Sequence, residues 1–217
     1  MNWFIKFLTS NIGRKLVMSL TGLFLIIFLI IHLIGNLQII LDSSGESFTA
    51  FTVFMETNPL IKIMAYVLYA GFLIHIIQGI GLYIINKRSK GGKYAVSSSE
   101  EVTFSSKNMS LLGGLILIFL IIHLADFFVP LKVTHVITDH ELFDKVVSLY
   151  HSPLYVIIYV IGMIVLGLHL SHGFQSAFQT LGLNHKKYTP FIKTVGLIYA
   201  IVIPLGFAII PIVVYFS

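Results

Sequence analysis

Apolar residues along this chain come in long uninterrupted blocks, not in the short amphipathic periods of a soluble fold. Five blocks are long enough to cross a bilayer as helices: residues 16–41, 60–85, 109–129, 153–181 and 191–216. A membrane helix needs about 20 mostly apolar residues. Lipid offers the backbone no hydrogen-bond partner, so each block is expected to be helical. The first is too long, and too plainly followed by four more, for a cleaved signal segment. Pro204 and Pro211 fall inside the fifth block, where a membrane helix tolerates them with a kink. No internal repeat is visible beyond the alternation of spans and loops. The pattern predicts one all-α membrane domain over residues 1–217, a five-transmembrane-helix bundle.

Composition agrees. The chain is 57% hydrophobic and only 11% charged, where a soluble domain carries about 25% charged residues. That excludes a soluble enzyme, a nucleic-acid module and a disordered chain. The net charge of +5 follows the loops. Eleven of the fourteen Lys and Arg fall on one side: Lys6, Arg14 and Lys15 before the first span, five between Lys87 and Lys107, and Lys186, Lys187 and Lys193. Only Lys62, Lys132 and Lys145 fall on the other, together with Asp42, Glu46, Glu56, Asp139, Glu141 and Asp144. The positive-inside rule then places the N-terminus in the cytoplasm. Trp3–Leu8 reads as an apolar segment lying in the cytoplasmic interface. Residues 86–108 read as a solvated cytoplasmic loop able to meet a soluble partner.

Nine histidines in so apolar a chain need a reason, and there is no cysteine to share their chemistry. His32, His75, His123, His169 and His172 lie inside spans, where an ionisable residue is a functional-site hypothesis by default. The first four spans contribute at least one each and the fifth none. At ~1.5 Å per residue, His32 and His123 stand roughly 24 and 21 Å above the cytoplasmic ends of their spans, and His75 and His169 about 16–17 Å. The four thus fall into two layers, His32 with His123 outside and His75 with His169 inside, about 4–8 Å apart. Two layers of paired histidines on facing helices suit two bis-histidine haems, each iron taking an imidazole from either side. Gly71 and Gly79 flank His75 at i−4 and i+4, Gly35 follows His32, and Gly173 follows His169 at i+4. These positions are expected to clear room for a flat macrocycle. Each ligand histidine is expected to give its second N–H to a carbonyl one turn earlier. His172 shares a face with His169 and competes with it. His135, His140, His151 and His185 read as exposed loop imidazoles.

The stretch Leu166-Gly-Leu-His-Leu-Ser-His-Gly-Phe-Gln-Ser176, with His32-Leu-Ile-Gly-Asn36 and Ile12-Gly-Arg-Lys-Leu-Val-Met18, resembles the cytochrome b subunit of succinate dehydrogenase and fumarate reductase. The likeness is to the single-subunit, five-helix, two-haem b558 type and runs over nearly the whole chain. It implies a bacterial inner-membrane anchor enclosing two haem b groups, His75 and His169 holding the proximal one and His32 and His123 the distal. It implies a flavoprotein partner with FAD, an iron–sulfur partner, a membrane quinone of the menaquinone kind, and room for a higher oligomer of the complex. The dicarboxylate site would lie on the flavoprotein, not on this chain. Glu56 matches an acid linked to menaquinone chemistry near the distal haem, and Asp126 is a second acid at the membrane edge. Some relatives carry a Glu two residues before the fourth ligand; here that position is Gly167. The residues alone leave open a haem b anchor of a hydrogenase or formate dehydrogenase, and a His-lined metal or proton transporter.

Overall fold

The computed structural model describes residues 3–89 and 103–217. Among the described residues the chain is helical throughout, with no strand. Five helices are long and apolar enough to cross a membrane, one for each expected span. They are α2 (Asn11–Leu41), α4 (Pro59–Ser89), α6 (Met109–His123) with its continuation to Val133, α8 (Pro153–Thr180) and α9 (Thr189–Phe216). Lys90, Lys93 and the serine run of the expected partner-facing loop lie outside the described residues.

Local chemistry sets the helix ends. Trp3–Thr9 is a separate helix, α1, with Trp3 and Ile5 exposed. Ser10 closes it by donating to the Phe7 carbonyl at 2.6 Å, and opens α2 by accepting from Gly13 N–H at 3.0 Å. Gly13 is required there, because an added Cβ would overlap the Phe7 carbonyl. The first membrane helix therefore begins at Asn11, earlier than the apolar pattern at residue 16 suggests. Asn58 Oδ1 caps the first turn of α4 through Leu60 N at 3.0 Å, with Pro59 at a position that needs no donor.

The third span changes register after His123. Leu124–Val133 winds as a π-helix around Pro130, closing with Thr134 N to Val129 O at 2.9 Å. Proline removes one donor from the ladder, and the wider turns carry the chain past it. Such turns are rare and gather at functional sites.

Three short helices sit in the connections: α3 (Glu46–Thr57), α5 (Phe104–Lys107) and α7 (Leu142–Tyr150). The span pattern predicted none of them. Helices α3 and α7 bury Phe48, Val146 and Tyr150 in one core with Leu33, Ile39, Tyr159, Ile203, Ile210 and Val214. They cap the end of the bundle opposite the start of α2, called here the far end.

Helix α2 packs on α4, α4 on α6, α6 on α8, and α8 back on α2. The four form a ring, with α2 facing α6 across one diagonal and α4 facing α8 across the other. Helix α9 lies outside it, against α8 and α2. Tyr199 Oη of α9 donates to the Ile26 carbonyl of α2 at 2.6 Å. A second core joins Ile26, Leu170, Phe174 and Ala200 from α2, α8 and α9. No residue of α4 belongs to either buried core. A third of the most apolar stretch of α9 is buried (33%), but only 6% of that of α4 or of α6. Helices α2, α8 and α9 thus form the best-buried slab, and α4 and α6, packed on α2 and α8, are the least buried spans.

Candidate functional site

The ring arrangement puts one histidine of each expected pair on each side of a diagonal. His32 of α2 and His123, the last α-helical residue of α6, meet with ring centroids 5.8 Å apart at 87°. An imidazole nitrogen sits about 2.0–2.1 Å from a bound metal, so two rings on opposite sides of one ion have centroids roughly 6 Å apart. Aromatic side chains surround the pair. Phe28 stacks on His32 at 5.1 Å and Phe207 approaches it at 5.5 Å. Phe119 stacks on His123 at 6.0 Å, with Phe127 and Tyr159 at its edges.

His75 of α4 and His169 of α8 take the other diagonal. Their rings make no direct contact among the described residues. His75 Nδ1 lies 3.1 Å from Thr21 Oγ1 of α2, and Gly22 is the residue against its ring. His169 lies against Gly113 of α6, and its Nδ1 is buried without a hydrogen-bond partner. A buried polar atom left unpaired costs about 1–3 kcal/mol.

These contacts measure the layers against a common ruler. His75 stands at the level of Thr21, eleven residues below His32 on the same helix. His123 stands at the level of Tyr159, ten residues from His169 on α8. At ~1.5 Å per residue the layers are about 15–16 Å apart, not the 4–8 Å expected from counting along separate spans. The count failed because the helix ends are not level. His75 is level with Thr21, ten residues into α2, yet fourteen residues from the end of α4 at Ser89, so α4 reaches roughly 6 Å below the start of α2.

The glycines divide. An added Cβ at Gly79 or Gly173 would meet only a methionine methyl, of Met18 at 3.6 Å or Met109 at 3.5 Å. At Gly71 it would press on the Phe24 ring at 3.3 Å. Gly35 is covered by Phe51 of α3 and so makes room for that ring, not for a ligand. The glycines that abut the histidines are Gly22 and Gly113 on neighbouring helices. Sequence spacing within one helix gave no signal for them.

The acids also depart from expectation. Glu56 is not in a loop but in the last turn of α3, ion-paired with Lys132 of the π-helical stretch. Neither Glu56 nor Lys132 bonds to a histidine pair. Asp126 accepts from Tyr159 Oη at 3.3 Å, and the same hydroxyl lies 3.5 Å from His123 Nδ1. Burial, and then the Asp126 carboxylate, push the phenol of the neighbouring Tyr150 well above its ordinary range. Among the described residues none of the four histidines bonds a carbonyl one turn earlier on its own helix; partners come from Thr21, Tyr159 and Asn36, and for His75 also from the Met18 carbonyl of α2. His172 is half-buried one turn past His169, while His135, His140, His151 and His185 are exposed.

Among the described residues no three His, Asp or Glu converge as a metal cage. A bare zinc ion takes three or four protein ligands. A porphyrin brings four in-plane nitrogens of its own and asks only for axial ligands. Imidazoles brought together in twos, with aromatic walls around His32 and His123 and no third ligand among the described residues, therefore suit a macrocyclic metal better than a free ion. The chain matches no protein-family model, no curated protein and no solved structure.

Proposed function

We propose that this chain is the two-haem cytochrome b anchor of a succinate:quinone oxidoreductase. It would pass electrons between an iron–sulfur partner and membrane quinone. The observation that carries the reading is the crossed pair of histidine diagonals, at levels about 15–16 Å apart on the ~1.5 Å helical rise. Bound there, two haem b groups supply a one-electron relay across the bilayer. His32 and His123 would hold the far-end haem from α2 and α6, and His75 and His169 the other from α4 and α8. Two histidines holding each group would suit it to electron transfer and not to oxygen activation. The basic near end faces the cytoplasm of a bacterial cell in this reading, where an iron–sulfur subunit and an FAD flavoprotein would dock. Quinone of the menaquinone kind would react at the far end. Glu56, through Lys132, and Asp126, through Tyr159, are the acids there able to exchange a proton.

The test is an optical spectrum of the detergent-purified protein with a pyridine haemochrome assay. Low-spin haem b bands on dithionite reduction, at about two haems per chain, support the reading. A colourless preparation, isolated with its natural companions, overturns it. Co-purification of a flavoprotein and an iron–sulfur protein distinguishes this complex from a hydrogenase or formate dehydrogenase.

A further inference from the structure

Each histidine pair contains one ring tied to a neighbouring helix and one that is not. Thr21 Oγ1 has a single proton and donates it within α2, to the Val17 carbonyl at 2.8 Å. It therefore meets His75 Nδ1, 3.1 Å away, with a lone pair. The His75 ring also donates to the Met18 carbonyl of α2, so it acts as the donor toward that helix, and the hydrogen it shares with Thr21 belongs to Nδ1. Tyr159 repeats the device at the other level. Its hydroxyl donates to Asp126 Oδ2 at 3.3 Å and offers a lone pair to His123 Nδ1 at 3.5 Å. Their opposite numbers lack this support. His169 Nδ1 has no partner. His32 Nδ1 faces the Asn36 amide at 3.4 Å, an amide that also donates to the His32 carbonyl at 2.8 Å.

The division follows the packing. The tied histidines stand on α4 and α6, the least buried spans, and the hydroxyls that tie them come from α2 and α8, the better buried helices they pack on. The geometry points to Thr21 and Tyr159 as positioning residues that select the Nδ1–H tautomer of His75 and His123. Helices α2 and α8 would each carry a histidine of one level and the hydroxyl that orients a histidine of the other. Its purpose rests on the two-haem reading, but the tautomer is a property of the chain itself.

The experiment uses the full chain, wild type against Thr21→Val, Thr21→Ser and Tyr159→Phe. In histidine-labelled, haem-depleted protein in lipid, nitrogen-15 solid-state NMR should show His75 and His123 as Nδ1–H tautomers. That signature should weaken at His75 alone in Thr21→Val, where the Met18 carbonyl remains, recover in Thr21→Ser, and be lost at His123 alone in Tyr159→Phe. In holoprotein, haem transfer to apomyoglobin should speed up about 10- to 100-fold at one of the two sites per variant, as befits a lost partner of a metal ligand. An unchanged tautomer ratio in Thr21→Val and Tyr159→Phe overturns the proposal, as does equal loosening of both haems by either variant. A wild-type protein without haem overturns the functional reading instead, and the NMR arm still decides this one.

Discussion

Replacing Gly167 by Ala tests the slab on which both histidine levels depend. An added Cβ would lie 2.9 Å from the Ala200 carbonyl oxygen and 3.5 Å from the Pro204 ring. The first neighbour is backbone and cannot swing aside, so α9 must move by a few tenths of an ångström. Overpacking of this kind costs about 1–3 kcal/mol. Removing a glycine from a helix interior returns about 1 kcal/mol, leaving Gly167→Ala neutral to about 2 kcal/mol destabilised on those two terms. Gly114 is the control, because nothing lies within 4 Å of its added Cβ. Gly114→Ala should gain the helical term with no clash. The two variants should differ by about 1–3 kcal/mol in unfolding by SDS titration of dodecylmaltoside micelles, followed by far-ultraviolet circular dichroism. Equal stabilities would refute the close approach of α8 and α9. The same contact explains why this position does not suit a glutamate: the longer side chain would have to enter a helix seam already closed by a carbonyl.

Tyr199→Phe removes the hydroxyl that joins α9 to the Ile26 carbonyl; it should cost about 0.5–1.5 kcal/mol in the same titration. His75→Ala should lower haem content from about two to about one per chain and leave the other spectral component in place, since sites more than 7–10 Å apart act nearly independently; loss of both or neither sinks the pairing. Asp42 accepts from the N–H and hydroxyl groups of Ser44 and Ser47, and those bonds hold its carboxyl below the ordinary value of 3.8. A depressed carboxyl stabilises above its unfolded value and loses that contribution as pH falls through the folded one. Protection from hydrogen exchange at the Ser44 and Ser47 amides should therefore be full above about pH 4, after allowance for intrinsic rates, decline progressively below it, and be lost only as pH falls through the depressed folded value. Asp42→Asn should remove that acid dependence.

The five spans were legible because the requirement is blunt: a bilayer-length apolar run must be a helix. Their limits were not, because the first turns are set by caps. Ser10 and Gly13 start α2 five residues before the apolar block, and no hydropathy pattern reports a side chain bonding a backbone N–H. Helices α3 and α7 were missed because they are amphipathic pieces whose apolar faces, Phe48 and Val146, make sense only once the bundle end they cover exists. The histidines stood out by their cost in lipid. Their supports did not. Thr21 and Tyr159 are ordinary residues for a membrane helix, and what distinguishes them is a neighbour on another helix.

The uneven packing bears on what the bundle can do. A membrane helix gains nothing from burying apolar surface, because lipid is as apolar as the protein; it is held by close packing and hydrogen bonds. Helix α9 meets that demand with Pro211 fully buried and Tyr199 bonded across the seam. Helix α4 packs along α2, with Phe72 against Phe28 and His75 at Thr21, but it places no residue in either core and only 6% of its most apolar stretch is buried. A helix so held yet carrying a histidine toward the opposite side of the ring is understandable if something between α4 and α8 supplies the missing contacts. A flat, apolar, metal-centred ligand gripped by His75 and His169 would do so. It would also make the ring of four helices more stable loaded than empty by the ordinary linkage of binding to folding.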